Sequence, residues 1–427
     1  MHVWLSKIDG SGGADPLGGI VNPATDLEIG QILGQDVNIA PGGTVTIKQM
    51  LQIPKTLVEQ QGSTYRILVQ VTPSADSTIS ERFDDDGVSF DSRQHAWYNA
   101  FGTFTIAGTG SRIDAKLTYK EADGNVVQLG SDSTAFGQIN WDGIDADLSL
   151  LKTSALSAIS VKVLNPSKGD GLVDLDDVEL LRFVNSLNLT KTSLTGSVSA
   201  ARGIYDLRLG NVSGGGTLSL GAFPLGKTGS STQVSLRQVS DFSIDSLAPI
   251  SSITATQWLD PSGGSLIEAP ALGSLTITKG DFEADIYLTS GATLDSLKVA
   301  GFVRESLVRT SGNIGTIDVG GLDQADIYAG VNSRPQSAAD FVARTTIDSL
   351  IVRGVAGSSK AFIDSNVAAA EIGSVDLLKI DGASGTGAFG IVADAIKSYN
   401  RNGVFAVGDE EGPATLDVIG HYRLRIL

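Results

Sequence analysis

The stretch LVRTSGNIGTIDVGG (residues 307–321) repeats, with changes, the stretch YLTSGATLDSLKVAG (residues 287–301). Both contain one phrase: an aliphatic residue, Gly or Asp, Ser or Thr, an aliphatic residue, any residue, and a final aliphatic residue. The phrase occurs five times, as LGSLTI, LDSLKV, IGTIDV, IDSLIV and IGSVDL, beginning at Leu272, Leu294, Ile314, Ile347 and Ile372. Successive copies are 22, 20, 33 and 25 residues apart. Such a repeat predicts a solenoid, because one repeat cannot bury its own apolar face and needs neighbours to cover it.

A second short strand pattern lies between the copies, as ADIYL from Ala284, ESLVR from Glu305 and ADIYA from Ala325. Leucine-rich repeats share this period, but they usually place Asn or Cys after the strand and a helical stretch behind it, and neither feature is visible here. Short β-segments with corners of Gly, Ser, Thr and Asp favour a parallel β-helix whose coils stack about 4.8 Å apart. The general preference of parallel crossovers predicts right-handed coils.

The five copies predict which side chains enter the core, because successive residues of a strand point to opposite faces. Two inward stacks are expected: Leu275, Leu297, Ile317, Leu350 and Val375, and beside them Ile277, Val299, Val319, Val352 and Leu377. The outward residues between them are Thr276, Lys298, Asp318, Ile351 and Asp376. Lys298 and Asp318 would then be opposite charges on adjacent coils.

The second strand pattern predicts an inward column of Ile286, Leu307 and Ile327. Tyr287, Val308 and Tyr328 would then point outward. The two tyrosines, two coils apart, would form an apolar surface ledge for a partner or a sugar chain. The alternative is that they pack against a neighbouring loop.

The spacing of 33 residues between Ile314 and Ile347 predicts an insertion. Residues 331–345 (VNSRPQSAADFVART) carry Pro335 and several polar residues. Insertions into solenoid coils project from one face, often the binding face. We therefore expect this segment to leave the coil and to be accessible to proteases.

The first part of the chain follows a different pattern. In TYRILVQV (residues 64–71) the apolar residues Tyr65, Ile67, Val69 and Val71 occupy every second position, which is typical of a half-buried strand in a sandwich. The order NIAPGGTVTIKQMLQIP, QGSTYRILVQVTPS, STISERFDDDG resembles the cell-adhesion-related domain found in bacteria, which implies an immunoglobulin-like β-sandwich over residues 1–95. The chain departs from that family at its end, where Glu81 is followed by Asp84, Asp85 and Asp86 and not by paired asparagines.

Residues 96–112 are predicted to be a transition, and residues 113–427 to form the β-helix. The run from SSITATQWLD to DQADIYAG, and the earlier run from RIDAKLTYK to DLDDVELL, resemble the β-helical repeat regions of large secreted or surface proteins of planctomycete-type bacteria. That resemblance implies an extracellular or cell-surface location and a large modular parent protein. It implies no catalytic activity.

Composition excludes several classes of function. The formal net charge of −17, from 48 acidic and 31 basic residues, would repel a phosphate backbone, so nucleic acid is not an expected partner. The chain has no cysteine, which removes disulfides and thiolate metal sites, and its three histidines are scattered. No apolar run approaches the roughly 20 residues that a membrane helix needs, so no membrane insertion is expected.

Two acidic groups are candidate calcium sites. DGLVDLDDVELL (residues 170–181) resembles the second half of a dockerin calcium loop, but Pro166 and Lys168 stand where the first half needs oxygen ligands. The simpler interpretation is a β-helix strand with Asp174 and Asp176 on its outer face.

The other candidate is the run Asp84, Asp85 and Asp86, whose charges repel one another unless they are solvated or bridged by a hard cation. A solvated loop of the sandwich is the alternative there. No cofactor is required by the sequence, and calcium is the ion that these residues would suit.

The sequence thus predicts an all-β protein: an immunoglobulin-like sandwich followed by a right-handed parallel β-helix. The favoured function is a non-catalytic structural or adhesive module, a rigid extracellular spacer or interaction surface for other surface proteins or cell-envelope polysaccharide. The alternative is a carbohydrate-binding or carbohydrate-cleaving β-helix. The enzyme is the weaker alternative, because only 6% of the residues are aromatic and the four tryptophans lie far apart in sequence.

Overall fold

A computed structural model describes only strand backbones before residue 125. From residue 125 onward it describes the chain except for residues 132–134, 142–145, 154–155, 165, 167–168, 225–229, 290, 384–386 and 409–413. The described part is almost entirely β-structure, with one short 3-10 helix at Ala338–Asp340.

Five N-terminal strands form one antiparallel sheet: β1 (His2–Ile8), β2 (Leu27–Gln31), β3 (Thr64–Val71), β4 (Arg82–Asp84) and β5 (Ser89–Asp91). Their order is β2–β1–β3–β4, and β5 also pairs with β3. The strand predicted over residues 64–71 is therefore confirmed as β3.

The next strands pair antiparallel and lie at the start of the solenoid: β6 (Thr103–Ile106), β7 (Ala115–Lys120), β8 (Val126–Ser131) and β9 (Ala135–Trp141). Strand β6 pairs with β9, and β7 pairs with β8. Strands β8 and β9 then pair antiparallel with β11 (Ala158–Val163) and β10 (Ala146–Lys152) of the first coil. Parallel coils thus begin at β10 and not at residue 113.

The solenoid makes about ten turns. Its further strands are β12 (Val173–Leu180), β13 (Val184–Leu194), β14 (Val198–Ala200), β15 (Ile204–Val212), β16 (Thr217–Leu220), β17 (Thr232–Ser235), β18 (Gln238–Ser240), β19 (Ser243–Ser246), β20 (Ile250–Ala255), β21 (Gln257–Leu259), β22 (Leu266–Ala269), β23 (Leu272–Ile277), β24 (Asp285–Leu288), β25 (Leu294–Arg304), β26 (Leu307–Thr310), β27 (Ile314–Asp323), β28 (Asp326–Ala329), β29 (Thr346–Val352), β30 (Phe362–Ile363), β31 (Asn366–Leu377), β32 (Ile380–Asp381), β33 (Phe389–Arg401), β34 (Val404–Gly408), β35 (Ala414–Ile419) and β36 (Tyr422–Ile426).

Three parallel sheets run along the solenoid. Sheet A contains β10, the end of β12, β14, β16, β19, β22, β24, β26, β28, the first parts of β31 and β33, and β36. Sheet B contains β11, the first parts of β13, β15, β25 and β27, with β17, β20, β23, β29 and the second parts of β31 and β33. Sheet C is narrower, and it includes the start of β12, β18, β21, β30 and β32.

The five repeated phrases form sheet B in the predicted register. Leu297 pairs with Leu275 on one side and Ile317 on the other, and the pairing continues through Leu350 to Val375. The second predicted stack is also correct, and every member of both stacks is at most 2% exposed. The residues between the stacks face outward as expected.

Where the second position of the phrase is glycine, it has a steric reason. A Cβ added to Gly315 would collide with the backbone oxygen of Asp295 on the preceding coil, and Gly373 stands in the same relation to Asp348. Glycine is needed where the backbones of two coils approach this closely.

The interior of sheet A is continuous from β12 to β36. Eleven aliphatic residues stack in register, none more than 1% exposed: Val178, Val198, Leu218, Ile244, Ile267, Ile286, Val308, Ile327, Val367, Ile391 and Leu424. At the far end, β34 pairs antiparallel with β33, and β35 with β36. Antiparallel strands therefore lie at both ends of the parallel coils, where an open coil would offer unpaired backbone groups.

Candidate functional site

Of the two groups of candidate calcium ligands, one lies in a strand whose side chains the structure describes and the other does not. In β12, Val173 and Leu175 are buried, and Asp174 and Asp176 lie on the outer side, as the simpler interpretation expected. Asp84 ends β4, where only the backbone is described, and Asp85 and Asp86 lie outside the described residues.

The loop before β12 is held by protein groups. The Oδ1 atom of Asp170 accepts hydrogen bonds from the backbone N–H of Leu172 at 2.8 Å and from the side chain of Asn125 at 3.1 Å. Asn125 is fully buried and also donates to the backbone oxygen of Leu172 at 2.8 Å. Asp170 thus closes a turn, a role that the comparison with a calcium loop did not predict.

An acidic corner forms where Asp147, Asp176 and Asp177 meet. One carboxylate oxygen from each lies within 4.8 Å of the others, and no other group of three potential metal ligands this close occurs in the described part of the chain. Asp147 accepts a hydrogen bond from the backbone N–H of Asp177 at 3.2 Å, and Asp177 accepts one from that of Ser197 at 2.7 Å. The carboxylates therefore bind backbone groups of the following coil, and their closeness assigns no metal.

The same contact recurs along the edge of sheet A. Ser197 accepts a hydrogen bond from the backbone N–H of Thr217 at 3.1 Å, and Asp285 accepts one from that of Leu307 at 2.7 Å. A polar side chain at the start of each of these strands thus binds the backbone of the next coil. Much of the acidic character of this edge has a structural explanation.

A groove lies on the outer face of sheet A at its first coils. It is lined by Asp147, Ser149, Asp177, Val178, Glu179, Ser197 and Ser199. Asp177 and Glu179 point to the same face because they are two residues apart in one strand. Carboxylates share an open surface in this groove, and a glycan-cleaving site would need carboxylates placed in this way.

The predicted tyrosine ledge differs from the structure in two ways. Val308 is completely buried, and Arg309 takes the outward position between Tyr287 and Tyr328. The guanidinium of Arg309 lies 4.4 Å from the ring centre of Tyr287, a cation–π contact. The prediction that Leu307 points inward and Val308 outward is therefore wrong.

Tyr328 is only 3% exposed, so the two tyrosines do not form an open ledge. It belongs to a second small core with Val331 and Phe341 of the insertion and with Ala368 and Val392 of sheet A. Residues 331–345 do leave the coil between β28 and β29, as predicted, but part of the segment folds back over sheet A. The alternative of a covering loop is confirmed for Tyr328.

Three arginines approach one another at this insertion, and the sequence did not predict their meeting. Arg334 comes from the insertion, and Arg423 and Arg425, whose charges act on it, come from β36. Arg423 is opposite Gly390 and Arg425 is opposite Val392 in the register of sheet A. The only signal in the sequence was the alternation in YRLRIL, which puts both arginines of β36 on one face.

A buried polar network fills the C-terminal end of the solenoid. The hydroxyl of Tyr399 donates to Asp417 at 2.7 Å and lies 3.3 Å from that of Tyr422, and Arg401 donates to Asp417 at 2.7 Å. Burial raises the pKa of Tyr399 and of Tyr422. Burial alone would also raise the pKa of Asp417, but hydrogen bonds from Arg401 and Tyr399 hold that pKa below its ordinary value. The tyrosines thus stay neutral, and the network joins β33 to β35 and β36.

Comparisons of the chain with protein-family models, with curated proteins and with solved structures find no match. The described residues contain no helix that is long and apolar enough to cross a membrane.

Proposed function

We propose that the protein is a non-catalytic structural or adhesive module of a large secreted or cell-surface protein, and that its solenoid acts as a rigid spacer or interaction surface. The right-handed sense of the coils and the immunoglobulin-like arrangement of the N-terminal sheet are part of the same proposal. Its partners would be other surface proteins or cell-envelope polysaccharide, with calcium an optional ligand of the acidic loops.

The observation that supports this role most directly is the unbroken core. The inward residues of sheet A stack in register over ten steps from Val178 to Leu424. Each coil rests on hydrogen-bonded neighbours, so bending the axis would open contacts on several coils at once. Antiparallel strands at both ends protect the first and last coils from pairing with other chains. These properties suit an element that holds a fixed length.

A distance measurement tests the spacer. The chain has no cysteine, so two can be introduced at the exposed positions Arg208 and Asp376 and carry spin labels. Seven steps of sheet B separate them. At about 4.8 Å per step the backbones are about 34 Å apart. One narrow distance distribution near this value is expected, and a broad or multiple distribution would refute a rigid spacer.

The alternative function is a carbohydrate-cleaving β-helix, and the groove at Asp177 and Glu179 is the observation that favours it. We expect no release of reducing ends when the protein is incubated with acidic and neutral polysaccharides. Cleavage that disappears in Glu179→Gln, and persists in the exposed control Lys298→Gln, would replace the structural proposal with the enzymatic one. A parallel sedimentation assay with native cell envelopes tests the adhesive role without requiring turnover.

A further inference from the structure

Three arginines from two separate parts of the chain meet at the C-terminal end of sheet A. Arg423 and Arg425 lie on the outward side of β36, beside Gly390 and Val392 of β33. Arg334 reaches the same place from the insertion, because its Nη1 atom donates a hydrogen bond to the backbone oxygen of Ala388. Ala388 precedes β33 directly, so this hydrogen bond ties the insertion to the coil that contains β33.

Arg334 has more hydrogen-bonding capacity than its surroundings use. Its Nε and Nη2 atoms are buried and have no hydrogen-bond partner among the described residues. Burial lowers the pKa of this guanidinium, and the charges of Arg425 and Arg423 lower it further. A buried donor without a partner costs free energy, and a charged donor costs more than a neutral one.

Asp326 is an acidic residue that acts on Arg334. Asp326 and Tyr328 raise the pKa of Arg334 and so partly offset the lowering by burial and by the two arginines. Asp326 also accepts a hydrogen bond from the side chain of Asn366 at 2.9 Å. At Arg334, one carboxylate is thus set against the charges of two neighbouring arginines. The arrangement leaves a local excess of positive charge in a chain whose net charge is −17.

We propose that Arg334, Arg423 and Arg425 bind a tetrahedral oxyanion of the sulfate or phosphate type, either as the free ion or as a sulfate ester on a glycan. Guanidinium groups present planar pairs of N–H donors that match the oxygens of such anions. A bound oxyanion would supply acceptors to the arginines and would remove their mutual repulsion. Because Arg334 belongs to the insertion and the other two to β36, the anion would also fasten the insertion onto sheet A. This binding site goes beyond the structural role proposed above.

Limited proteolysis of the insertion reports this fastening. Cleavage within residues 331–345 requires the segment to open, and a ligand that binds only the closed form slows cleavage in proportion to the open population. At an anion concentration about ten times its Kd, cleavage should slow about elevenfold. Inorganic sulfate and inorganic phosphate are the first probes, each compared with sodium chloride at equal ionic strength. Equal protection by chloride would overturn the proposal, because it would show charge screening alone.

Variants separate the anion site from general stability. In Arg425→Gln the protection by sulfate should fall to the value seen in chloride. Arg344→Gln is the matched control, because Arg344 lies in the same insertion but pairs with Asp394 at 2.9 Å. The proposal would be overturned if sulfate protected Arg425→Gln to the same degree as the wild-type chain. It would also be overturned if sulfate protected neither the wild-type chain nor Arg344→Gln.

A second arm distinguishes the two sources of the anion. Dextran sulfate is compared with neutral dextran in the same proteolysis assay. Protection by dextran sulfate that depends on Arg425 assigns the site to a sulfated glycan. Protection by the inorganic ions alone assigns it to the free oxyanion, and protection by neutral dextran at the level of dextran sulfate would contradict the role of charge.

Discussion

Replacing Leu297 by alanine should weaken the solenoid at one defined level. Leu297 is completely buried and lies between Leu275 and Ile317 in the first inward stack of sheet B. The change removes three carbon atoms from the core, worth about 2.4 kcal/mol at about 0.8 kcal/mol per buried methylene group. Both neighbours are held in place by their own coils, so the space closes only in part. With the cavity included, the free energy of unfolding should fall by about 2–5 kcal/mol.

Urea denaturation with hydrogen-exchange mass spectrometry measures this effect. Because each coil contacts mainly its neighbours, protection should fall most in β23, β25 and β27 and less in distant coils. Lys298→Ala is the matched control, since Lys298 is the exposed next residue, and it should cost about 1 kcal/mol or less. A loss below about 1 kcal/mol for Leu297→Ala, or equal losses in the two variants, would refute the stacking argument.

Three further predictions concern the C-terminal coils and the insertion. The pKa of Asp417 is lowered in the folded chain, so its stabilising contribution is complete above about pH 4 and is lost as the pH falls through the lower folded value. Hydrogen exchange of β35 and β36 should therefore become faster below about pH 4 in the wild-type chain. In Asp417→Asn the exchange of these strands should already be faster at pH 6, and it should rise less as the pH falls below about 4. Gly390 has φ +133° and no room for a Cβ against the backbone oxygen of Arg423, so Gly390→Ala should destabilise the chain by about 2 kcal/mol or more, and a thermal midpoint equal to that of the wild type would contradict this. Limited proteolysis between residues 200 and 400 should cut first within residues 331–345, and a first cut elsewhere would show that packing protects the insertion more than its exposed residues suggest.

The core of sheet B was predictable because its pattern is redundant. Five copies of one phrase, each with two inward aliphatic residues, admit a single register, since a shift by one residue would turn Lys298 and Asp318 into the core. The predicted pairing of Lys298 with Asp318 across the coils is confirmed in the register. The ion pair of Asp318 is instead made with Arg353, which follows β29. The register determines which backbone residues are paired, but a long charged side chain can reach more than one neighbour.

The inward residue of β26 was predicted wrongly because the second strand pattern allows two choices there. Leu307 and Val308 are both aliphatic, so either could be the inward residue. Glu305 turns the corner before β26 with φ +47°, and the backbone there sets the strand one residue later than the sequence pattern suggested. Arg309 was the available signal, because a charged residue belongs on the outer face and its neighbour Val308 then points inward.

The docking of the insertion could not have been predicted from its own sequence. Its length showed that it leaves the coil, but its contact depends on Ala368, Ala370 and Val392, which lie on later coils. Small residues there leave room for Phe341 and Val331 of the insertion. In the same way, the register of sheet A brings Asp147 close to Asp177 in the acidic corner, and the docked insertion brings Arg334 to the arginines of β36.

The two charged ends of sheet A can act independently of each other. The acidic groove lies at Asp177 and Glu179, and ten steps of the sheet separate β12 from β36, where Arg423 and Arg425 lie. Ten steps correspond to about 48 Å, which is several times the Debye length of about 8 Å at physiological ionic strength. The carboxylates at one end therefore do not cancel the field of the arginines at the other, and a net charge of −17 does not exclude anion binding. It follows that neutralising the groove, for example in Asp177→Asn, should leave sulfate protection of the insertion unchanged at physiological salt. An effect of that variant on sulfate protection as large as that of Arg425→Gln would show that the two ends are coupled.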